Sequence, residues 1–484
     1  MSPLEPGRNC WRIEAATRAT VIIDADRYFK AARAAMLKAR HQILLVGWDF
    51  DARIDLTPDG DPGDGAPRTI GDFIMYLVER NPDLDVYTLR WDTGALKTLA
   101  RGSTIITVAK WMMHKNIHTK LDGYHPVGAS HHQKIVVIDD CLAFAGGIDM
   151  TSERWDTRDH LDDQPFRTPP GGRKQYKPWH DATTALAGPV AAALGELCRD
   201  RWVLAGGKPI QAPKPVHECW PDDLDVDFQD IRVAISRSEP EMPDHKPVTE
   251  IENLYLDLIA SAERHIYAES QYFASRRIAE AIAKRLDEPN GPEIVIINPT
   301  TAQGWLEPIA MDTARARLFE ALKHRDTHGR LRMYHPVTKG GEPIYVHAKI
   351  LVIDDRILRV GSSNFNNRSM RLDTECDVTI SVAGGADPAC IIAIRDGLIA
   401  EHLAAEPKAV AAAIAETGSL ITTIDRLRAA GRTLIDYEVP DLNDVEAWLA
   451  DNEVLDPEGP AEVFEVLSKR GLFRRMHLWR RRKA

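Results

Sequence analysis

A histidine, a lysine two residues on and an aspartate five further on recur together at two places in the 484-residue sequence: His132, Lys134 and Asp139, then His347, Lys349 and Asp354. An imidazole can serve as nucleophile or as general acid and base, and an ammonium beside it can neutralise an anion. Both motifs lie on apolar, β-branched runs, KIVVID and KILVID, that read as buried strands. On a strand, residues two apart share a face, so each histidine projects with its lysine. Burying an unpaired ammonium beside an imidazole is costly unless both line a cleft that holds an anion. Asp139 and Asp354 fall on the opposite parity, at Asp-Asp turns between strands, and are expected to support or salt-bridge the motif rather than touch phosphate. One copy could be an accident of strand composition. Two in matching contexts are not.

The elements that must position these motifs are also written twice. DADRYFKAARAAMLKARHQILLVGW (24–48) places Phe29, Ala32, Met36 and Ala39 on one helical face and runs into a strand at Ile43–Val46. TEIENLYLDLIASAERHIYAESQYF (249–273) repeats the pattern, with Thr249 and Glu252 spaced as a capping box. From a matched Arg-His pair to the motif histidine the distance is 91 residues in one copy (His41 to His132) and 82 in the other (His265 to His347). Such spacing indicates an internal duplication. The expected fold is α/β, with two similar lobes, each a mixed β-sheet flanked by helices, and the active site at the pseudo-twofold interface between them. The boundaries read as an N-terminal lobe over 8–215, a linker over 216–247, a C-terminal lobe over 248–404, and a helical extension with a basic tail over 405–484.

Composition narrows the class. Hydrophobic residues make up 44% and charged residues 27%, as in a soluble globular chain. No apolar run approaches the length of a membrane span, and the N-terminus lacks the blocks of a secretory signal. The six cysteines show no CxxC and no zinc spacing, so neither a disulfide framework nor a metal site is expected, and a reducing cytoplasm fits. A net charge of −11 argues against a nucleic-acid partner. The tail 469–484 holds eight Lys/Arg and no acid, interspersed with Leu472, Phe473, Leu478 and Trp479, a mixture suited to peripheral contact with anionic lipid. A monomer is expected.

The chain resembles the phospholipase D superfamily, and more narrowly its eukaryotic-type phospholipases D. The resemblance rests on SHHQKIVVID (130–139), GGIDMTSERWD (146–156), PWHD (178–181) with a following GP, IYAESQYF (266–273), IYVHAKILVIDD (344–355), and GSSNFNNRSM (361–370) with its trailing DTE (373–375). It spans roughly residues 8–404. It implies one histidine that attacks phosphorus to form a phosphohistidine and another that protonates the leaving group and then deprotonates water or an alcohol. His132 is assigned as nucleophile and His347 as acid/base by the family's usual polarity. Lys134 and Lys349 would neutralise the nonbridging oxygens, helped by Asn364 and the hydroxyl of Ser362 or Ser363. Two lysines in place of divalent metal imply no cofactor. Asp181 and Glu375, the acids following the two motifs, are the candidates to orient the histidines.

Asp149 stands where the second copy has Asn364 and is expected to point away from the phosphate and anchor its loop. His131 reads as structural. His114, His118 and His125 read as surface loop. Trp111-Met112-Met113 is a candidate acyl contact, and the insertion 156–177 a candidate rim. The implied reaction is hydrolysis of a glycerophospholipid, phosphatidylcholine or a close relative, to phosphatidic acid and headgroup, with transfer to alcohols. The alternatives are a cardiolipin synthase-like phosphatidyltransferase, a nuclease, and a noncatalytic lipid-binding protein.

Overall fold

The computed structural model describes residues 3–92, 104–214, 217–302, 311–382 and 387–440. The first half contributes β1 (Arg12–Ile23), β2 (Gln42–Gly47), β3 (Asp85–Trp91), β4 (Ile117–Asp122), β5 (Ile135–Ile138), β6 (Leu142–Gly146), β7 (Trp179–His180) and β8 (Ala182–Ala187). The second contributes β9 (Phe228–Glu239), β10 (Val248–Thr249), β11 (His265–Glu269), β12 (Glu293–Ile297), β13 (Leu331–Val337), β14 (Tyr345–Val346), β15 (Ile350–Ile353), β16 (Ile357–Gly361), β17 (Glu375–Ser381) and β18 (Thr433–Asp436). All but β7 and β14 join a single mixed sheet in the order β18-β13-β12-β11-β15-β16-β17-β9-β1-β8-β6-β5-β2-β3-β4, with β10 beside β9.

The order is a palindrome about β1 and β9. Outward from that seam, β8, β6, β5, β2, β3 and β4 mirror β17, β16, β15, β11, β12 and β13. The two central strands pair antiparallel, Arg12 opposite Ile235 and Ala19 opposite Phe228. The two lobes are therefore continuous through one sheet. This corrects the linker boundary: β9 lies inside the range 216–247 and is the counterpart of β1, so the connection shortens to the segment between the helix Pro189–Leu204 and β9. Polar and proline residues around 211–225 had masked a strand that starts immediately after them.

Helices cover both faces. Ile135 and Val137 of β5, with Ile350 and Val352 of β15, pack into a core cluster shared by both halves and closed by the helices Pro189–Leu204 and Ala389–Leu403. The alternate residues Val136 and Ile138 face the helices Ala25–Leu37 and Ile70–Arg80, and Leu351 and Ile353 face Glu250–Ser261 and Arg276–Asp287. Burial on both faces is why these strands are unbroken apolar runs rather than alternating ones.

Three further expectations are revised. Thr249 is the N-cap of its helix but makes no side-chain cap bond; Glu252 is drawn instead to Arg371 and Arg277. Cys141 and Cys219 form a disulfide across a separation of 78 residues. The turn after β5 meets the connecting segment there, a proximity that cysteine spacing does not reveal, and the argument for a reducing compartment falls with it. The extension after residue 404 is not wholly helical, since β18 pairs with β13 at the sheet edge. The basic tail 469–484 lies outside the described residues. No helix among the described residues is long and apolar enough to cross a membrane.

Candidate active site

His132 and Lys134 sit on the extended approach to β5, and His347 and Lys349 on the approach to β15, just outside the strand ladders. The motif aspartates fix those approaches from the far end of each strand. The Asp139 carboxylate accepts the backbone N–H groups of Arg40 (2.6 Å), His41 (2.9 Å) and Gln42 (2.6 Å). Asp354 does the same for Glu263 (2.7 Å), Arg264 (2.7 Å) and His265 (2.8 Å). Each thus gathers the turn between the lobe's first helix and the neighbouring strand, with the Asp-Asp pairs held at positive φ between 47° and 61°. This accounts for the matched Arg-His pairs in the two copies: they belong to the turns that the motif aspartates bind. The role is backbone anchoring, not salt-bridging to a cation on the motif.

The histidines are oriented across the seam. His132 Nδ1 lies 2.9 Å from Glu375, on β17 of the second half. His347 Nδ1 lies 2.7 Å from Asp181, between β7 and β8 of the first half. With Nδ1–H given to the acid, each Nε2 is left as the reactive atom. Glu375 is itself held by Ser369 Oγ (2.7 Å) and Ser362 Oγ (2.5 Å). Trp48 meets the His132 ring edge-on at 6.5 Å, and Trp179 lies 5.1 Å from the His347 ring. The His132 side chain is 17% exposed and that of His347 7%, so His132 is the more reachable ring.

Lys134 Nζ donates to His132 O at 2.7 Å, and Lys349 Nζ donates to His347 O. Burial, reinforced by Lys134 and Lys349, pushes His132 well below the ordinary imidazole range. Burial and Lys349 do the same to His347, against the opposing pull of Asp181. For Asp181, burial acts upward, but His347 and Lys349 outweigh it and hold the acid at about 2. Burial lifts Glu375 to about 7, despite Lys134 and the two serine hydroxyls. Burial and the neighbouring Lys134 bring Lys349 down to about 7, against Asp181 and Glu375. Two buried lysines, met in part by Asp149 and Asp181, lie beside neutral imidazoles, an arrangement able to receive a phosphodiester between the histidines.

The halves differ where the phosphate groups were expected. Asp149 is not turned away: Oδ1 accepts the Trp48 N–H at 3.0 Å, anchoring the end of β2, while Oδ2 faces Lys134 Nζ at 3.3 Å. A carboxylate beside a buried ammonium offsets its desolvation, which loop anchoring alone had not suggested. Asn364, its counterpart, is neutral; its Nδ2 donates to Gln271 at 3.4 Å and its buried Oδ1 accepts nothing. The Ser362 hydroxyl is spent on Glu375 rather than on an open phosphate position, and Ser363 Oγ reaches Asp377 at 2.6 Å. Ser362 thus supports the acid that orients His132. At the matching position stands Gly147, where an added Cβ would lie 2.2 Å from Asp181 Oδ1.

Of the other histidines, His131 is fully buried, with Nδ1 2.8 Å from Thr374 Oγ1. His118 is not in a loop but in the strand β4, stacked on Tyr87 at 4.5 Å, and His125 accepts the Trp91 indole N–H at 3.0 Å. Trp111 is buried, whereas Met112 and Met113 are 71% and 81% exposed. The insertion 156–177 braces the lobes: Asp162 accepts the Gly340 N–H at 2.8 Å, and Arg158 donates to Gly397 O at 2.9 Å. Its Asp156 also accepts the Trp179 N–H at 2.9 Å, positioning the indole beside His347. Sequence reasoning missed Asp156 because only its buried partners His160, Arg167 and Trp179, gathered by the fold, show its purpose.

A fused pair of lobes that crosses its histidine–acid contacts over a shared seam, with two buried lysines, defines a phosphodiester-transfer scaffold. A family model described as "Phospholipase D" matches residues 35–249, and one described as "Cardiolipin synthase, PLD-like domain" matches residues 255–387. The chain belongs to the phospholipase D superfamily. It is 24% identical over 475 residues to phospholipase D alpha 1 of Carica papaya, covering 69% of this chain and 58% of that protein. It is 26% identical over 280 residues to cardiolipin synthase A of Pseudomonas putida, covering 58% and 50% respectively. The chain thus spans somewhat over half the length of the curated relatives it matches. Among solved structures, phosphatidylserine synthase of Haemophilus influenzae shares the fold with a TM-score of 0.54 at 15% identity, over 81% of this chain and 88% of that one.

Proposed function

We propose that this chain is a phospholipase D that cleaves the distal phosphodiester of phosphatidylcholine-like lipids and transfers the phosphatidyl group to water or a primary alcohol. The observation that carries the lipid reading is a cavity of about 270 Å³ with mainly apolar walls, lined by Leu45, Leu89, Trp111 and Met112 and reaching Lys134 and Asp149. It sets an acyl-compatible space beside a phosphate-binding cation, where a nucleic-acid site would present a basic groove.

In the reaction, the Nε2 lone pair of His132 attacks phosphorus as the bond from phosphorus to the headgroup oxygen breaks. His347 gives that oxygen its Nε2 proton. Water or an alcohol then loses a proton to His347 as its oxygen attacks phosphorus, and the P–N bond breaks to free His132. Neutral His132 suits the nucleophile, and the ionised Asp181 favours a protonated His347 once substrate charge has offset the lysines. Lys134 and Lys349 hold the nonbridging oxygens, and Asn364 adds its amide; the charge they neutralise peaks in the pentacoordinate state.

Incubation with phosphatidylcholine vesicles and a primary alcohol, without added metal, is expected to give phosphatidic acid and phosphatidylalcohol, with a phosphohistidine trapped on His132. Folded protein that yields neither lipid product would refute the reading. A second reading, phosphatidyl transfer of the cardiolipin synthase kind, is favoured by the match over 255–387. Phosphatidylglycerol as both donor and acceptor separates the two by product.

A further inference from the structure

Behind Asp181 lies a second cluster that the reaction does not use. Asp24, His160, His180 and Glu401 are all buried, and one ligand atom from each lies within 4.8 Å of every other. The outer nitrogen of each ring is already committed to a carboxylate: His160 Nδ1 to Asp156 at 3.1 Å, and His180 Nε2 to Glu269 at 2.7 Å. Their inner nitrogens converge on the remaining two acids. His160 Nε2 lies 3.1 Å from Glu401 Oε1 and 3.6 Å from Asp24 Oδ2. His180 Nδ1 lies 2.8 Å from Glu401 Oε1 and 3.4 Å from Asp24 Oδ1, with no hydrogen bond at that nitrogen. Asp24 Oδ2, also fully buried, accepts no hydrogen bond.

Two imidazole nitrogens and two carboxylates thus converge on a common centre. Charge balance asks there for either two protons or a divalent cation. Asp24, Asp156, Glu269 and Glu401 are opposed by the guanidinium groups of Arg158, on Glu401, and Arg167, on Asp156; against burial, the carboxylates raise the pKa values of His160 and His180, whose two protons meet the remaining charge and are what a bound ion would displace. We infer that Asp24, His160, His180 and Glu401 bind a divalent transition-metal ion that staples the first half of the chain to the helix Ala389–Leu403 of the second. For tetrahedral zinc with bonds near 2.0–2.1 Å, ligand atoms stand about 3.3 Å apart; the four imidazole–carboxylate separations, counting either oxygen of Asp24, bracket that value at 2.8–3.6 Å, and the full set lies within 4.8 Å. A carboxylate on the far nitrogen of each ring is the outer-shell arrangement that fixes the tautomer of a metal-bound histidine. The donor set, two imidazoles and two carboxylates, suits zinc, cobalt or iron rather than calcium or magnesium.

The ion's role is positional. Asp24 Oδ1 accepts the Asp181 N–H at 3.0 Å and the Asp24 N–H donates to Asp181 O at 2.8 Å, so the staple holds the acid that orients His347. No step of the phosphate chemistry passes through it.

The test uses the full chain without a histidine tag. Metal analysis after equilibration with zinc and desalting is expected to find one equivalent per chain. Loading with Co2+ in place of zinc is expected to give the visible d–d absorption of tetrahedral cobalt, and stripping with a strong chelator to lower the melting temperature reversibly. Glu401→Gln and His160→Gln are expected to lose the equivalent, whereas Cys219→Ser keeps it. Wild-type protein that takes up no zinc and shows no cobalt spectrum overturns the inference, even where the substituted forms do not fold. Retention of the full equivalent by folded Glu401→Gln overturns it as well.

Discussion

His132 Nδ1 sits 2.9 Å from Glu375, a residue 243 positions later in the chain and on the other side of the seam. His347 and Asp181 make the reciprocal contact at 2.7 Å. Glu375→Gln and Asp181→Asn keep the shape of each contact but trade a carboxylate, which only accepts, for an uncharged amide whose NH2 can face Nδ1 and select the other tautomer. Each is expected to lower kcat by about 10²–10⁴-fold while KM and the melting temperature change little. A loss confined to KM would contradict an orienting role.

Asp139 and Asp354 each satisfy three backbone N–H groups at a helix-to-strand turn, so their effect belongs to stability. Asp139→Ala and Asp354→Ala are each expected to cost about 3 kcal/mol or more in denaturant unfolding. Lys349→Met, by comparison, is expected to remove activity without a loss of stability. Equal stability in all three proteins would break this assignment.

Gly147 has room for a hydrogen and nothing larger, because a Cβ would meet Asp181 Oδ1 at 2.2 Å. Gly147→Ser copies the Ser362 of the other half, yet it is expected to displace Asp181 and misalign His347. Turnover should fall about 10²-fold or more. A crystal structure of the variant checks the cause: Asp181 moved and Glu375 unmoved.

Lys349 carries a charge that the fold holds at a cost until substrate arrives. Its folded pKa of about 7 lies below the unfolded value of about 10.4, so between these the unfolded chain binds more protons and stability rises with pH. Lys349→Met is expected to abolish turnover and to stabilise the substrate-free protein by about 1–4 kcal/mol below pH 7. The advantage should shrink as pH climbs towards 10. Thermal unfolding across that range measures it.

What could be read from the chain followed from period and repetition. KIVVID and KILVID declared buried strands because both faces are covered, and the doubled Arg-His pairs measured out the repeat. The residues that the fold collects from distant places were much less legible. Spacing nominated Asp181 and Glu375 but could not say that each would serve the opposite half's histidine, since that depends on how β7 pairs with β14 and His131 bridges to Thr374 between the halves. The start of the second repeat was hidden for a different reason: the proline-rich approach to β9 looks like linker until Arg12 is set opposite Ile235. Cys141 with Cys219, and Asp24 with Glu401, are brought together by tertiary contacts that no local pattern encodes.

The antiparallel seam of β1 and β9 is the contact that a symmetric dimer of single lobes would make. In such a dimer every substitution appears twice, and the two sides of the cleft remain identical. Joining them in one polypeptide ends that obligation. Asp149 opposite Asn364, Gly147 opposite Ser362, and Asp181 opposite Glu375 are departures that only a fused chain can hold. On the proposed mechanism they would let one side specialise in attack and the other in proton transfer, a division of labour written into covalent connectivity rather than into the fold.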